Sequence, residues 1–357
     1  MTGIRGVAAV WVMMLHAGQD AGRLYRLPWL ERISFFVNGW HGVDLFFMLS
    51  GFILMYAHGQ DFVQIRTAPL VRFARLRFTR VYPLNAAVLL LISVLVWLQP
   101  GFVAWMRTIH SPADFSLGAF VRTLFLATRW FLPGRGDWNE PVWSLSLEIL
   151  GYLAFPFLAY WALRVKHKWA HVAIALGSLA GAVLILKASH DHDSAFSQIA
   201  VVRMFACFLT GIAIFRLWTL APEAHRKAAP WMASAAVACI LITGQTYRGT
   251  VLMNFFFAVL LYALAFQQGI VSRLLSSRAA VFLGEISFPL YLIHVIPIFW
   301  LRYYLMTQGA PYTTLQRSAM LLAWLVGCFL MATLLHYFVE KPAHALGRRW
   351  AGARVSQ

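Results

Sequence analysis

The sequence predicts an all-α fold, a polytopic transmembrane bundle of about ten spanning helices with both termini in the cytoplasm. Three observations point to it. Of 357 residues, 61% are hydrophobic. Only 12% are charged, where a soluble domain carries about 25%, so a water-facing surface of this size is left without enough charge. The apolar residues also fall into runs close to the ~20 residues that a helix needs to cross a bilayer.

Ten such runs are present, at roughly 4–20, 38–57, 82–99, 141–163, 169–187, 197–216, 230–246, 250–267, 286–304 and 318–339. The first resembles a signal peptide in its short apolar stretch and its following Ala17-Gly18. Trp11, His16 and Gln19 are poor residues for such a segment, and further spans follow, so it is expected to stay as the first helix. The three cysteines, Cys207, Cys239 and Cys328, sit inside apolar runs without a CxxC neighbour, which predicts packing rather than redox or metal chemistry.

The formal net charge is +17. A nucleic-acid-binding protein gathers its basic residues on one solvated patch. Here they lie between apolar runs, the positive-inside pattern of a membrane protein facing anionic lipid, so no nucleic-acid partner is expected. Most Lys and Arg residues fall on one side when the N-terminus is placed in the cytoplasm. An even number of spans then returns the C-terminus to that side. Segment 58–81 is the strongly basic cytoplasmic connection. Segment 100–140 is external, with an interfacial helix expected over Phe115 to Phe131 and a turn at Pro133-Gly134-Arg135-Gly136-Asp137. No repeat or low-complexity tract appears. The expected organisation is one membrane domain, 1–345, with a basic cytoplasmic tail, 346–357.

Ionisable residues inside a bilayer are costly and mark function by default. The spans contain Arg5, His16, His41, Asp44, Glu148, Arg203, His294 and His336. Arg5 and His16 are eleven positions apart, about three full helical turns, so they share a face with ~16 Å between them along the axis. His41 and Asp44 are one turn apart on the second span. The approximate boundaries bring His16, Asp44 and Glu148 to similar depths. Arg77 and Arg80 share a helical face, and Arg72 and Arg75 are similarly paired. Such an array of guanidinium groups suits a polyphosphate and equally fits an ordinary positive-inside loop. His190-Asp191-His192-Asp193 has metal-ligand composition, but it sits in a short external loop, and no metal site is expected there.

Together these residues resemble acyltransferase family 3, membrane O-acyltransferases that decorate bacterial cell-surface glycans. Arg5-Gly-Val-Ala-Ala-Val-Trp-Val-Met-Met-Leu-His16 is similar to its Arg-x10-His motif. Gly42-Val-Asp44-Leu-Phe-Phe-Met-Leu-Ser50-Gly51-Phe is similar to its second-helix signature. Arg77-Phe-Thr-Arg80, followed by Tyr82-Pro83, resembles its Arg-x-x-Arg element. Trp143-Ser-Leu-Ser-Leu-Glu148 looks like its Trp-Ser-Leu-x-x-Glu element. Gly284-Glu-Ile-Ser287-Phe-Pro-Leu-Tyr291-Leu-Ile-His294 and Glu340-Lys-Pro342 look like its C-terminal markers. One departure is Thr2-Gly3, which stands where members often carry an acid before the first Gly-x-Arg.

The resemblance implies a bacterial inner-membrane enzyme that moves an acyl group, usually acetyl, from cytoplasmic acetyl-CoA or another acyl-CoA to a saccharide hydroxyl. The acceptor would be a polysaccharide or a lipid-linked glycan, and no metal is required. It implies Arg77 and Arg80, with Arg72 and Arg75, at the CoA phosphates, and Arg5 at the entering donor. His16 would be the general base, its unperturbed pKa of about 6.5 lying near working pH. Asp44 or Glu148 would orient it. No Ser or Cys sits in a nucleophile motif, which favours direct transfer over a covalent intermediate. The competing class is a transporter or flippase, which would show matching broken helices in two halves; the sequence has no such symmetry.

Overall fold

The structure is a computed structural model that describes residues 1–19, 25, 27, 33–130, 136–189, 199–245, 250–307 and 312–352. Among the described residues every regular element is a helix. All ten apolar windows fall on helices: α1 Thr2–Gly18, α2 His41–His58, α3 Thr67–Leu98, α6 Val142–Arg164, α7 Lys168–Ser189, α8 Ile199–Thr219, α9 Glu223–Thr243, α10 Thr250–Leu264, the pair α13 Ser287–Ile293 and α14 Val295–Thr307, and α15 Thr314–Leu335. The shorter helices are α4 Pro100–Ile109, α5 Leu117–Leu124, α11 Gly269–Leu275, α12 Arg278–Glu285 and α16 Lys341–Trp350.

Among the described residues, seven helical stretches are long and apolar enough to cross a membrane. An eighth would be the pair Leu252–Leu264 and Gly269–Leu275, which is bent by 87°. The difference from ten has local causes. Helix α1 is 17 residues long, and α9 opens on the polar stretch Glu223-Ala-His-Arg-Lys227. The chain is therefore a multi-pass membrane protein, as its composition requires.

One expected helix is longer than its apolar window and another is shorter than expected. Helix α3 starts fifteen positions ahead of the apolar window and runs unbroken for 32 residues through Pro83, so most of the basic segment 58–81 is helical. Arg, Leu and Ala are good helix formers. Facing outward along its apolar half, α3 presents Trp97, at 80% exposure, with Leu90 and Leu98, as a lipid-facing helix should. The interfacial helix expected over 115–131 is only α5, Leu117–Leu124. Phe115 and Leu126 adopt left-handed backbone, φ 57° and 55°, which a helix does not accommodate. Ser116 then caps the new start by accepting from the Ala119 N–H at 3.2 Å. Helix α4, opened by Pro100 at its first turn, carries no long apolar run and was not anticipated.

The chain divides into two compact units. The first comprises Met1–Val12, Ser34–Leu70 and Leu147–Glu285. Its central contact is α2 against α8, at backbone distance. A Cβ on Gly51 would lie 2.1 Å from the Phe208 carbonyl oxygen, and one on Gly211 would lie 2.0 Å from that of Met48. Small residues let membrane helices approach this closely, where packing replaces the hydrophobic effect. On its other side α8 meets α7 through a hydroxyl pair, Ser178 Oγ and Thr210 Oγ1 at 3.1 Å.

The second unit comprises Met13–Ile33, Val71–Ser146 and Ile286–Gln357. Here α13 packs on α15, and the α4 residue Phe102 sits edge-on to Tyr303 of α14, centroids 5.8 Å apart. A π-helical turn, His336–Glu340, joins α15 to α16, and α16 runs from Lys341 to Trp350. It crosses α3 where Gly347 meets Thr79, with no room for a Cβ.

Candidate active site

The second unit contains a buried cluster built by the end of α1 and the junction of α13 with α14. Pro297 has no N–H to give to the Ile293 carbonyl, and its ring crowds the preceding turn. The helical ladder is interrupted at His294, between α13 and α14. The carbonyls freed there find side-chain partners. His294 Nδ1 donates to the Tyr291 carbonyl at 2.8 Å, and Asn139 Nδ2 donates to that of Leu292 at 2.8 Å. The His294 carbonyl accepts from Trp324 Nε1 at 3.2 Å. The Ser144 and Tyr291 hydroxyls bond at 2.8 Å. The Trp-Ser-Leu element and the Ser-Phe-Pro-Leu-Tyr-Leu-Ile-His element therefore meet at one place.

His16 faces this junction. Its ring lies 5.1 Å from that of His294, centroid to centroid, at a 55° tilt. A carbonyl can only accept, so the bond to Tyr291 fixes the proton of His294 on Nδ1 and leaves Nε2 with a lone pair. His294 is fully buried. Its Nε2 and the Nδ1 of His16 are buried nitrogens without a hydrogen-bond partner. Arg302 fastens the end of α1: its Nη2 donates to the carbonyls of His16, at 2.7 Å, and Gln19, at 3.3 Å. A cation at helix C-terminal carbonyls is a favourable pairing. The arrangement places imidazole nitrogens able to accept a hydroxyl proton near a fixed positive charge.

Next to this cluster, outside the spans, residues of 107–130 and 136–140 form a second polar group. His110 Nδ1 donates to Asp114 Oδ2 at 2.7 Å, a bond that pushes the imidazole pKa above its usual value. Arg129 Nη2 donates to Asp137 Oδ2 at 2.8 Å. Burial pushes Asp137 up, against the pull of Arg129. Burial also pushes the Glu140 carboxyl up to about 7, with His110, Asp137, Arg302 and Arg129 as its charged neighbours. Arg302 thus acts on Glu140 through its charge and on the backbone of His16 through a hydrogen bond. Neither Glu140 nor Arg302 was singled out from the sequence.

In the first unit, Asp44 is fully buried at the centre of a polar network. Its Oδ1 accepts from Arg203 Nε at 2.6 Å. Its Oδ2 accepts from His41 Nδ1 at 3.2 Å and Asn254 Nδ2 at 3.1 Å. The Arg203 guanidinium also lies over the Trp40 ring, 4.7 Å from its centroid. Glu148 accepts a short hydrogen bond from Ser50 Oγ, joining the fourth window to the second. Arg5 stands in the first turns of α1, between Gly3 and Gly6, which lie against the backbone of Leu275 and Leu283.

Of the four arginines of the basic segment, Arg72 is exposed. Arg75 donates to the Trp350 carbonyl at 3.0 Å and stacks over that ring at 5.0 Å. Arg77 and Arg80 come together with α16. Arg80 Nη1 donates to His344 Nε2 at 3.4 Å, and Arg77, Arg80 and Arg348 all act electrostatically on His344. Since Arg80 can only donate, His344 Nε2 is an acceptor. Glu340 Oε1, 3.9 Å away, lies beyond hydrogen-bond range, and Glu340 Oε2 accepts from His336 instead, at 2.8 Å. Among the described residues no three His, Cys, Asp or Glu side chains converge as a metal site; the tract His190–Asp193 lies outside the described residues.

A multi-pass helical protein with two imidazoles facing each other beside a fixed positive charge suits a membrane-embedded group-transfer enzyme. A family model for an acyltransferase domain matches residues 1–339, and the chain belongs to that family. It is an acyltransferase of the kind that transfers groups other than aminoacyl groups. It is similar to the acyltransferase MdmB of Streptomyces mycarofaciens, 26% identical over 98% of this chain and 92% of that one. It is also 26% identical to the putative peptidoglycan O-acetyltransferase YrhL of Bacillus subtilis, over 89% of this chain and 52% of the relative. The O-acetyltransferase OatA of Staphylococcus aureus is 21% identical, over 97% of this chain and 57% of its own length. The chain thus spans little more than half the length of the latter two. No solved structure matches.

Proposed function

We propose that this protein is an O-acyltransferase of the bacterial cytoplasmic membrane. It moves an acetyl group from acetyl-CoA to a hydroxyl of a cell-surface or lipid-linked saccharide, with His16 as general base. The observation that carries this reading is the half-buried His16, its Nδ1 enclosed without a hydrogen-bond partner and its backbone carbonyl held by Arg302 at the end of α1. Relatives named for O-acetylation, one of them of peptidoglycan, support the acetyl donor and the saccharide acceptor.

His16 removes the proton of the acceptor hydroxyl as its oxygen attacks the thioester carbon. The C–S bond breaks with its electron pair on sulfur, and the thiolate takes up the proton that His16 holds. Arg77 and Arg80, on the side assigned to the cytoplasm, bind the phosphates of the CoA, and Arg5 serves the entering thioester. Guanidinium forks suit phosphate oxygens, and several on one helix face can meet one polyanion.

The test uses membranes carrying the full-length protein, labelled acetyl-CoA and the endogenous saccharide fraction as acceptor. The wild type transfers base-labile acetate to that fraction. His16→Ala abolishes the transfer, a loss of about 10²–10⁴-fold, with protein level and membrane insertion unchanged. Undiminished transfer by that variant sinks the role of His16. Absence of any transfer from acetyl-CoA by the wild type sinks the donor and turns the assignment towards another acyl thioester or towards transport.

A further inference from the structure

A base that takes a proton in a buried site needs a partner for the charge it acquires. In hydrolase triads a third group does this from the far side of the imidazole. Asp44 and Glu148, the carboxylates expected in that role, have partners of their own in the first unit, Arg203, His41 and Asn254 for the one and Ser50 for the other. The ring that faces His16 within its own unit is His294.

His294 is prepared for one task. Its Nδ1–H is committed to the Tyr291 carbonyl, so Nε2 can only accept. That nitrogen is buried and has no protein partner. The segment that carries the ring is held at three points. Its own backbone carbonyl is tied to Trp324, the neighbouring carbonyl of Leu292 to Asn139, and the Tyr291 hydroxyl to Ser144. An unpaired buried acceptor is costly, and the cost is relieved when its neighbour becomes a donor. Neutral His16 carries one N–H; on taking a proton both of its nitrogens are donors and the one facing His294 carries part of the positive charge, which strengthens its bond to a lone pair.

We propose that His294 is the positioning residue for His16, its Nε2 lone pair receiving an N–H of the imidazolium that His16 becomes on accepting the hydroxyl proton. This rests on His16 being the base. The proton passes from the acceptor hydroxyl to one nitrogen of His16, the N–H on the other nitrogen is held by His294 while the C–O bond forms and the C–S bond breaks, and the transferred proton leaves on the thiolate. No other reactant is required.

The experiment compares His294→Phe, His294→Gln and His16→Ala in the membrane assay above, with protein quantified and thermal stability measured for each. Phe preserves a flat ring and removes the acceptor; Gln keeps an acceptor oxygen in a poorer shape. The expected result is a loss of about 10²-fold or more in kcat for the Phe variant, with KM for acetyl-CoA within about twofold. The Gln variant recovers at least part of that loss, and adding His294→Phe to His16→Ala lowers the rate no further, because both act on one step. A purely structural role predicts the opposite order, with Phe at least as active and as stable as Gln. Activity of the Phe variant equal to wild type, or equal to or above that of Gln, overturns the proposal while a dead His16→Ala keeps the base assignment. An active His16→Ala overturns both.

Discussion

His16 and His294 lie 5.1 Å apart, ring centroid to ring centroid, and come from segments 278 positions distant in the chain. The second ring has its tautomer set by a backbone carbonyl that a proline-induced interruption leaves available. Burial makes this pairing consequential. In water two imidazoles at this separation ignore each other, whereas in a low-dielectric interior each unsatisfied nitrogen costs about 1–3 kcal/mol.

Glu140 makes the protein's stability depend on pH. Its carboxyl has an ordinary value of 4.5 and is pushed up to about 7 by burial. The folded protein keeps a proton that the unfolded chain releases between those values. Stability from this group is therefore complete below about pH 4.5 and is lost as the pH rises through about 7. Glu140→Gln removes the penalty of a buried carboxylate, so its Tm should exceed that of wild type by more at pH 8 than at pH 5. Thermal unfolding in detergent, followed by tryptophan fluorescence at both pH values, checks this. An equal difference at both pH values refutes it.

Asp44 should be indispensable for folding. Asp44→Asn leaves the Arg203 guanidinium buried without its counter-ion, a loss of about 3–5 kcal/mol for a broken buried pair. The expected outcome is a lower Tm and less folded protein in the membrane. Replacing the pair together, as Asp44→Leu with Arg203→Met, should return much of the stability. If Asp44→Asn is as stable as wild type and inactive, Asp44 acts in the chemistry instead.

The α2–α8 contact allows no side chain at two positions. A Cβ at Gly51 or Gly211 would press on the backbone of the facing helix at 2.1 or 2.0 Å, so the helices must separate. Gly51→Val and Gly211→Val should each cost about 1–3 kcal/mol or more, read as loss of monodisperse protein on detergent gel filtration. Gly177, around which 4 Å of space is open, is the control; Gly177→Val should behave as wild type.

The basic face of α3 should govern the donor's affinity more than its reactivity. Arg77→Ala and Arg80→Ala are each expected to raise KM for acetyl-CoA about tenfold, the scale of one lost charge-assisted hydrogen bond. The change in kcat should be smaller, and raising the salt should reproduce part of the effect in the wild type. Titration of labelled acetyl-CoA over membranes of each variant measures both constants. An unchanged KM removes the CoA phosphates from this face.

The helices were legible in the sequence because lipid imposes a strict rule, so every apolar window became a helix. The short helix α4 and the bounds of α5 were not, since an element lying along a surface needs no long apolar run, and left-handed residues such as Phe115 and Leu126 leave no mark in composition. For the site, the expensive residues were visible one at a time. Asp44 and Arg203 both stood out as charges in apolar runs, but a pairing across 159 positions needs coordinates. His294 was visible as an ionisable residue in a span, without any sign of its neighbour. Arg302 was overlooked although it lies inside the ninth window, and an arginine there is itself the signal that could have found it. Glu140 gave no signal, because an acid just outside a span is ordinary until burial changes it.

The interruption between α13 and α14 comes from Pro297 and not from the histidine that occupies it. Position 294 is therefore a socket whose shape is decided elsewhere in the chain. The break in the ladder outlasts an exchange of that side chain, and what such an exchange removes is the bond to the Tyr291 carbonyl and the lone pair turned to His16.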